Sequence, residues 1–153
     1  HSLSKTFNMT GWRIGFAVGH SEILSGLGRV KTNIDSGLFQ AIQEAGTEAL
    51  NHLDTPLPEI IHIYEKRRDV MVKGLQEIGL EVDRPKATFY LWIRVPGGYT
   101  SAQFAALLIE QGGIVATPGN GFGEEGEGYI RMALTVDEKR LKEAIERLKR
   151  IKF

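Results

Sequence analysis

Apolar side chains recur at helical spacing most persistently at Leu57, Ile60, Ile61, Tyr64, Met71, Leu75 and Ile78. Glu65, Lys66, Arg67, Arg68 and Asp69 carry charge on the other side. This pattern predicts one long amphipathic helix, ended by Gly79. Beyond it the chain alternates strand and helix. Glu81 to Arg84 and Phe89 to Val95 read as strands. Thr100 with Gln103 has the spacing of a capping box and predicts a helix through Gln111. Ile114 to Thr117 reads as a short strand and Tyr129 to Leu134 as another. Between them, Pro118 to Gly128 holds five glycines and three glutamates and reads as a flexible loop. Asp137 is placed to cap a last helix whose Leu141, Ala144, Ile145, Leu148 and Ile151 share one face.

The first third has a different pattern. Residues 1 to 11 are polar and read as loop. Trp12 to Val18 is apolar apart from Arg13 and Gly15, is bounded by Gly11 and Gly19, and reads as a buried strand. Ser21 is a cap candidate for a helix to about Lys31, weakened by Gly26 and Gly28. Asn33 to Gly37 interrupts the periodicity, and Leu38 to Asn51 reads as the next helix. Pro56-Leu57-Pro58 marks a boundary. Residues 56–153 then form a small α+β domain able to build its own core. Residues 1–55 offer a strand and two helices with no sheet to join, which reads as the remnant of a larger domain. The chain also opens at His1 directly on a motif described below, so it is expected to be part of a longer protein.

Composition narrows the function classes. The chain has 153 residues, enough for a real core, and 19 basic residues balance 19 acidic ones. A balanced charge gives no reason to expect nucleic acid or an acidic membrane as partner. Cysteine is absent, which excludes disulfides and thiolate metal sites, and no metal is expected. The longest apolar run, Phe104 to Ile109, is far too short to span a bilayer. A cytoplasmic location is the default expectation.

The chemistry is concentrated in Ser2-Leu3-Ser4-Lys5-Thr6-Phe7-Asn8-Met9-Thr10-Gly11-Trp12-Arg13-Ile14-Gly15. A lysine amine forms a Schiff base with an aldehyde. Arginine and small hydroxyls hold a phosphate, and glycines let backbone approach a ligand. A phosphate-bearing aldehyde would suit this set. A solvated surface lysine, and an Arg13 buried in its strand beside a carboxylate, would also account for these residues.

Ser-x-Ser-Lys followed by Met-x-Gly-x-Arg-x-Gly resembles, without a gap from Ser2 to Gly15, the cofactor-lysine segment of the class I/II aminotransferases. These are the fold-type I enzymes dependent on pyridoxal 5'-phosphate. The resemblance implies an α/β chain comprising the C-terminal portion of that fold: a remnant of the large domain and the α+β small domain. It implies that Lys5 carries the cofactor and serves as general acid/base for the proton shift from the substrate Cα. Ser2 and Arg13 would bind the cofactor phosphate, and Ser4 would assist. A second match, Thr117-Pro118-Gly119-x-x-Phe122-Gly123 followed by Gly126 to Ala133, resembles the family's small-domain segment. It assigns Arg131 to the substrate α-carboxylate, where a bidentate pair would orient the amino acid. The plain alternative pairs Arg131 with Glu124, Glu125 or Glu127. Phe89 either lines the pocket or belongs to the core.

Lys31 to Gln40 resembles most the LL-diaminopimelate aminotransferases, which exchange an amino group between LL-diaminopimelate and 2-oxoglutarate in lysine biosynthesis. Aspartate, alanine or aromatic aminotransferase and β-lyase activities are the alternatives within the class. A non-catalytic binding or assembly module is the alternative outside it. Family members are homodimers in which this loop reaches the neighbouring active site, so Asn33 or Ser36 would contribute there. The family's other cofactor contacts come from upstream of the lysine segment: an Asp, a stacked ring, an Asn and a Tyr. These 153 residues alone are therefore not expected to retain the cofactor or to catalyse.

Overall fold

The apolar periodicity around Met71 and Leu75 produces a single helix, α4, over Pro56–Glu77. Gly79 follows with φ of +84°, the left-handed conformation that ends a helix. Met71, Val72 and Leu75 are buried, whereas Ile61 stays exposed. The computed structural model describes residues 1–54 and 56–153. These divide into two units, His1–Ile61 and His62–Phe153. The boundary read at residues 55 and 56 falls on Thr55 and so lies outside the described residues.

In the second unit a three-stranded antiparallel sheet has the order β1-β3-β2. Its strands are β1 (Tyr90–Arg94), β2 (Thr117–Pro118) and β3 (Tyr129–Ala133). Two helices complete the unit, α5 (Ser101–Gly112) and α6 (Glu138–Leu148). The strand period of two sorts the side chains. Leu91, Ile93, Ile130 and Met132 are buried on one face and join Phe104 and Leu108 of α5, Leu141, Ile145 and Leu148 of α6, and Leu75 of α4 in one core. The other face carries Trp92, Arg94, Tyr129 and Arg131, from half-buried to exposed.

Caps account for the helix starts. Thr100 and Gln103 make both hydrogen bonds of the capping box, and Asp137 accepts from the Arg140 amide. The strand read at Ile114 to Thr117 forms later, at Thr117–Pro118. Gly113 ends α5 at φ +60°, and the Ile114 amide donates to the Leu108 carbonyl, so its donor is already used in closing the helix. Glu81 to Arg84 contributes only one bridge, Val82 to Ile93, not a strand.

The glycine-rich stretch is a built structure rather than an open loop. Gly119–Phe122 and Glu124–Gly126 form two 3-10 turns. Their backbones meet so closely that a Cβ on Gly119 would lie 2.1 Å from the Gly126 carbonyl oxygen. Ser101, fully buried, anchors the turns. Its Oγ accepts from the amides of Gly128 at 2.8 Å and Tyr129 at 3.1 Å. Glu127 in turn accepts from the Ser101 amide at 2.8 Å.

In the first unit the polar start is folded as well. Leu3–Thr6 is a short helix, α1, and Thr10–Trp12 a 3-10 turn. Helices α2 (Ser21–Lys31) and α3 (Gln40–Asn51) follow. The α2 cap is His20, whose Nδ1 accepts from the Glu22 amide at 3.4 Å, and not Ser21, which opens the helix. The buried strand read at Trp12 to Val18 does not form. Gly15 makes a single bridge to Ser2, while Trp12 is 46% and Val18 70% exposed. A strand needs a paired neighbour and a covering layer, and within this unit only residues 1–3 run beside it.

Two pins lead to predictions. Asp69 accepts from Arg68 Nε at 2.8 Å and from Arg84 Nε and Nη2 at 2.9 and 3.0 Å, tying α4 to the segment before β1. Chiefly through Arg84, its pKa falls from 3.8 to about 2. A depressed carboxyl stabilises the folded state above its ordinary pKa and loses that contribution as pH falls through the folded value. Asp69→Asn is therefore expected to flatten the dependence of the urea midpoint on pH between 3.8 and about 2. Ser101→Ala leaves the half-buried Gly128 and Tyr129 amides without their acceptor. It is expected to cost about 1–3 kcal/mol by urea denaturation and to speed hydrogen exchange at Gly128 and Tyr129.

Candidate active site

Four of the residues singled out in the sequence lie on one small piece of the first unit. Ser2 caps α1, its Oγ accepting from the Ser4 amide at 3.2 Å. Lys5 stands in that helix and is exposed. Arg13 follows the 3-10 turn in the left-handed region, φ +54°, and its Nη1 donates to the Thr10 carbonyl at 3.1 Å. Thr10 Oγ1 donates to the Ser4 carbonyl at 3.0 Å. Thr10 therefore links the helix that carries Lys5 to the turn that carries Arg13. Sequence reading left Thr10 without a role, because it fills a variable place in the motif. It also placed Arg13 in a buried strand, whereas Arg13 is exposed and its side chain folds back over its own turn. Leu3 and Met9 are buried beneath, and α3 packs Gly46 onto Leu3 and Ile14.

The loop after α2 uses its polar side chains locally. Asn33 Nδ2 donates to the Arg29 carbonyl at 2.7 Å, and Asp35 accepts from Lys31 at 2.6 Å and from the Gly37 amide at 2.8 Å. Ser36 is exposed.

Arg131 lies in the second unit, half-buried on the outer face of β3. Among the described residues no carboxylate lies within ion-pair distance of it. Pairing with Glu124, Glu125 or Glu127 is thereby excluded, and Glu127 instead turns to the N-terminus of α5. There the Ser101 amide holds the Glu127 carboxyl below its ordinary pKa. The guanidinium carbon of Arg131 sits 4.2 Å from the ring centroids of both Tyr90 and Phe122. Trp92 stands directly opposite Arg131 in the β1–β3 register. These side chains border a cleft of about 270 Å³ lined by Thr88, Tyr90, Trp92, Tyr129 and Arg131, with Glu81, Asp83 and Arg94. Glu81 pairs with Arg94 at 3.6 Å. Thr88 adopts φ +71°, an uncommon conformation for a β-branched residue.

Phe89 belongs to the core's edge, its ring 5.5 Å from that of Tyr64 and 4.5 Å from that of Tyr90. The aromatic side chains in the cleft are instead Tyr90, Trp92 and Tyr129. Strand alternation was the available signal: with Leu91 and Ile93 inward, Tyr90 and Trp92 face outward. A larger groove of about 340 Å³ along α6 has an apolar floor, with Arg140 and Arg147 in its lining. None of the site residues expected from the sequence lines it. Among the described residues no cluster of three or more His, Asp or Glu side chains is placed to hold a metal, and no helix is long and apolar enough to cross a membrane.

Similar proteins share this arrangement along the whole chain. The LL-diaminopimelate aminotransferase of Syntrophobacter fumaroxidans is 57% identical over 153 residues, covering all of this chain and 39% of that protein. The enzyme of the same name from Aquifex aeolicus is 59% identical, with 100% and 40% covered. The chain thus spans about two fifths of the length of these curated relatives. Among solved structures, substrate-bound BacF from Bacillus subtilis superposes with a TM-score of 0.94 at 33% identity, over 99% of this chain and 39% of BacF. The family model described as aminotransferase class I and II matches residues 1–148, and the chain belongs to that family.

Proposed function

We propose that the whole protein transfers an amino group between an amino acid and a 2-oxo acid with pyridoxal 5'-phosphate. The observation that carries this reading is Arg131, a half-buried cation in the lining of a cleft, with no carboxylate within ion-pair distance of it among the described residues. A side chain of that kind suits an anionic group brought by a ligand, and arginine's fork matches a carboxylate.

The residues around Lys5 fit the cofactor by the chemistry of their donors. The Ser2 and Ser4 hydroxyls and the Arg13 guanidinium hang from one hydrogen-bonded piece, and residues 1–19 include no acidic side chain to oppose a phosphate. Ser2, Arg13 and Ser4 would hold the phosphate. When bound, the cofactor draws electrons from the substrate Cα and makes its proton removable. Lys5 supplies the amine that takes this proton and returns it. Arg131 would grip the α-carboxylate and so orient the amino acid.

The amino acid that the relatives' names support is LL-diaminopimelate, and the resemblance of Lys31 to Gln40 adds 2-oxoglutarate as the acceptor, in lysine biosynthesis. The same reading divides the whole protein into a large cofactor domain, to which residues 1–55 belong, and a small domain of residues 56–153. It makes the protein a cytoplasmic homodimer, with Ser36 the better candidate to reach the partner's site because Asn33 already donates to Arg29.

Borohydride reduction of the whole protein with its cofactor is expected to leave a pyridoxyl mass on the peptide containing Lys5. A label on another lysine would end the assignment. Lys5→Ala is expected to lower kcat by about a hundredfold to ten-thousandfold. Arg131→Lys replaces the fork with a point charge and should lower kcat/KM for the amino acid by about tenfold to a hundredfold. A higher kcat/KM for aspartate than for LL-diaminopimelate would reject the proposed pair.

A further inference from the structure

We infer that Tyr90 and Phe122 are positioning residues for Arg131: together they hold its guanidinium so that its hydrogen-bonding edges remain for one incoming carboxylate. This rests on the assignment of Arg131 to the substrate carboxylate, and it adds how the cation is kept ready. A lone arginine on a sheet surface has four soft torsions and a choice of acidic neighbours. Arg131 instead meets two rings, each with its centroid 4.2 Å from the guanidinium carbon. A ring face attracts the cation without occupying its strong in-plane donors.

The two rings come from opposite neighbours of β3. Tyr90 belongs to β1, while Phe122 ends the 3-10 turn that follows β2. Neither depends on local sequence around Arg131, and both are held by further contacts. Tyr90 packs on Phe89 at 4.5 Å. Phe122 meets Trp92 edge-on at 5.9 Å, and Trp92 stacks on Tyr129 at 5.6 Å. The Tyr129 amide is fixed by the Ser101 hydroxyl. The result is a continuous brace from the buried Ser101 to the guanidinium. It keeps the side chain extended over the sheet without a carboxylate partner, which would have to be displaced before substrate could bind.

The test uses the whole protein with its cofactor, the Arg131 side-chain resonance being assigned by its loss in Arg131→Lys. The side-chain Nε–H resonance of Arg131 is expected to be displaced from those of the other arginines by the two rings. On titration with 2-oxoglutarate that resonance should move. Tyr90→Leu and Phe122→Leu should each weaken the apparent affinity by about threefold to thirtyfold and abolish part of the ring displacement. Tyr90→Phe and Phe122→Tyr, which keep the ring, should restore both. Backbone amide spectra identify any variant that fails to fold, and the ring-keeping pair still decides in that case. If 2-oxoglutarate moves Arg131 equally in the parent chain and both leucine variants, the positioning role is wrong while the carboxylate assignment stands. If Arg131 never responds, the carboxylate assignment itself falls, and the positioning role with it. In the whole protein the leucine variants should raise KM for the amino acid, with kcat changed less.

Discussion

Strand β3 is hydrogen-bonded on both sides, to β1 over five residue pairs and to β2 over two, and the rest of the second unit depends on that register. A slip of one residue would exchange its two faces. Ile130 and Met132 would leave the core, and Arg131 would enter an apolar layer with no carboxylate to meet it. Burial of Ile130, Leu91 and Ile93 therefore determines where the cation points. The energy that orients Arg131 is spent on the opposite side of the sheet, through side chains of the core.

The approach to β3 is constrained in the same way. The chain arrives from the glycine-rich turns, and it enters the strand at a fixed place because the Gly128 and Tyr129 amides both donate to Ser101. Ser101 opens α5, so the N-terminus of a core helix sets the start of the strand. Glu127 completes the junction by accepting from the Ser101 amide. A helix cap, a strand register and the placement of Arg131 are three parts of one connected structure.

Much of this was legible in the sequence, and the features that were legible share a cause. The capping box at Thr100 and Gln103, the Asp137 cap, the long helix through Met71 and Leu75, and the strands around Leu91 and Ile130 are all encoded within a few residues of where they act. Features that depend on distant partners were misread. Trp12 to Val18 has the composition of a buried strand, but no ladder is available to it within its unit. Ser21 has the right chemistry for a cap, yet the neighbouring imidazole takes the position. Lys5, Ser2 and Arg13 were identified through a motif, which could not show that Thr10 ties them together. Ser101 carried no signal at all, since a serine at the start of a helix is ordinary and its partners lie 25 to 28 residues away. The expected flexibility between residues 118 and 128 followed from counting glycines. Two of those glycines are there for close contact.

That contact, Gly119 against Gly126, divides the segment into a waist and an outer lobe. At the waist the backbones touch, and any side chain at either position would force them apart. In the lobe, a Cβ on Gly121 or Gly123 meets nothing within 4 Å, although Gly123 itself sits at φ +124°. A side chain is thus tolerable at Gly121 and intolerable at the two residues that close the waist. The waist separates a part of the segment that is free to vary from the strand that follows, which stays undisturbed.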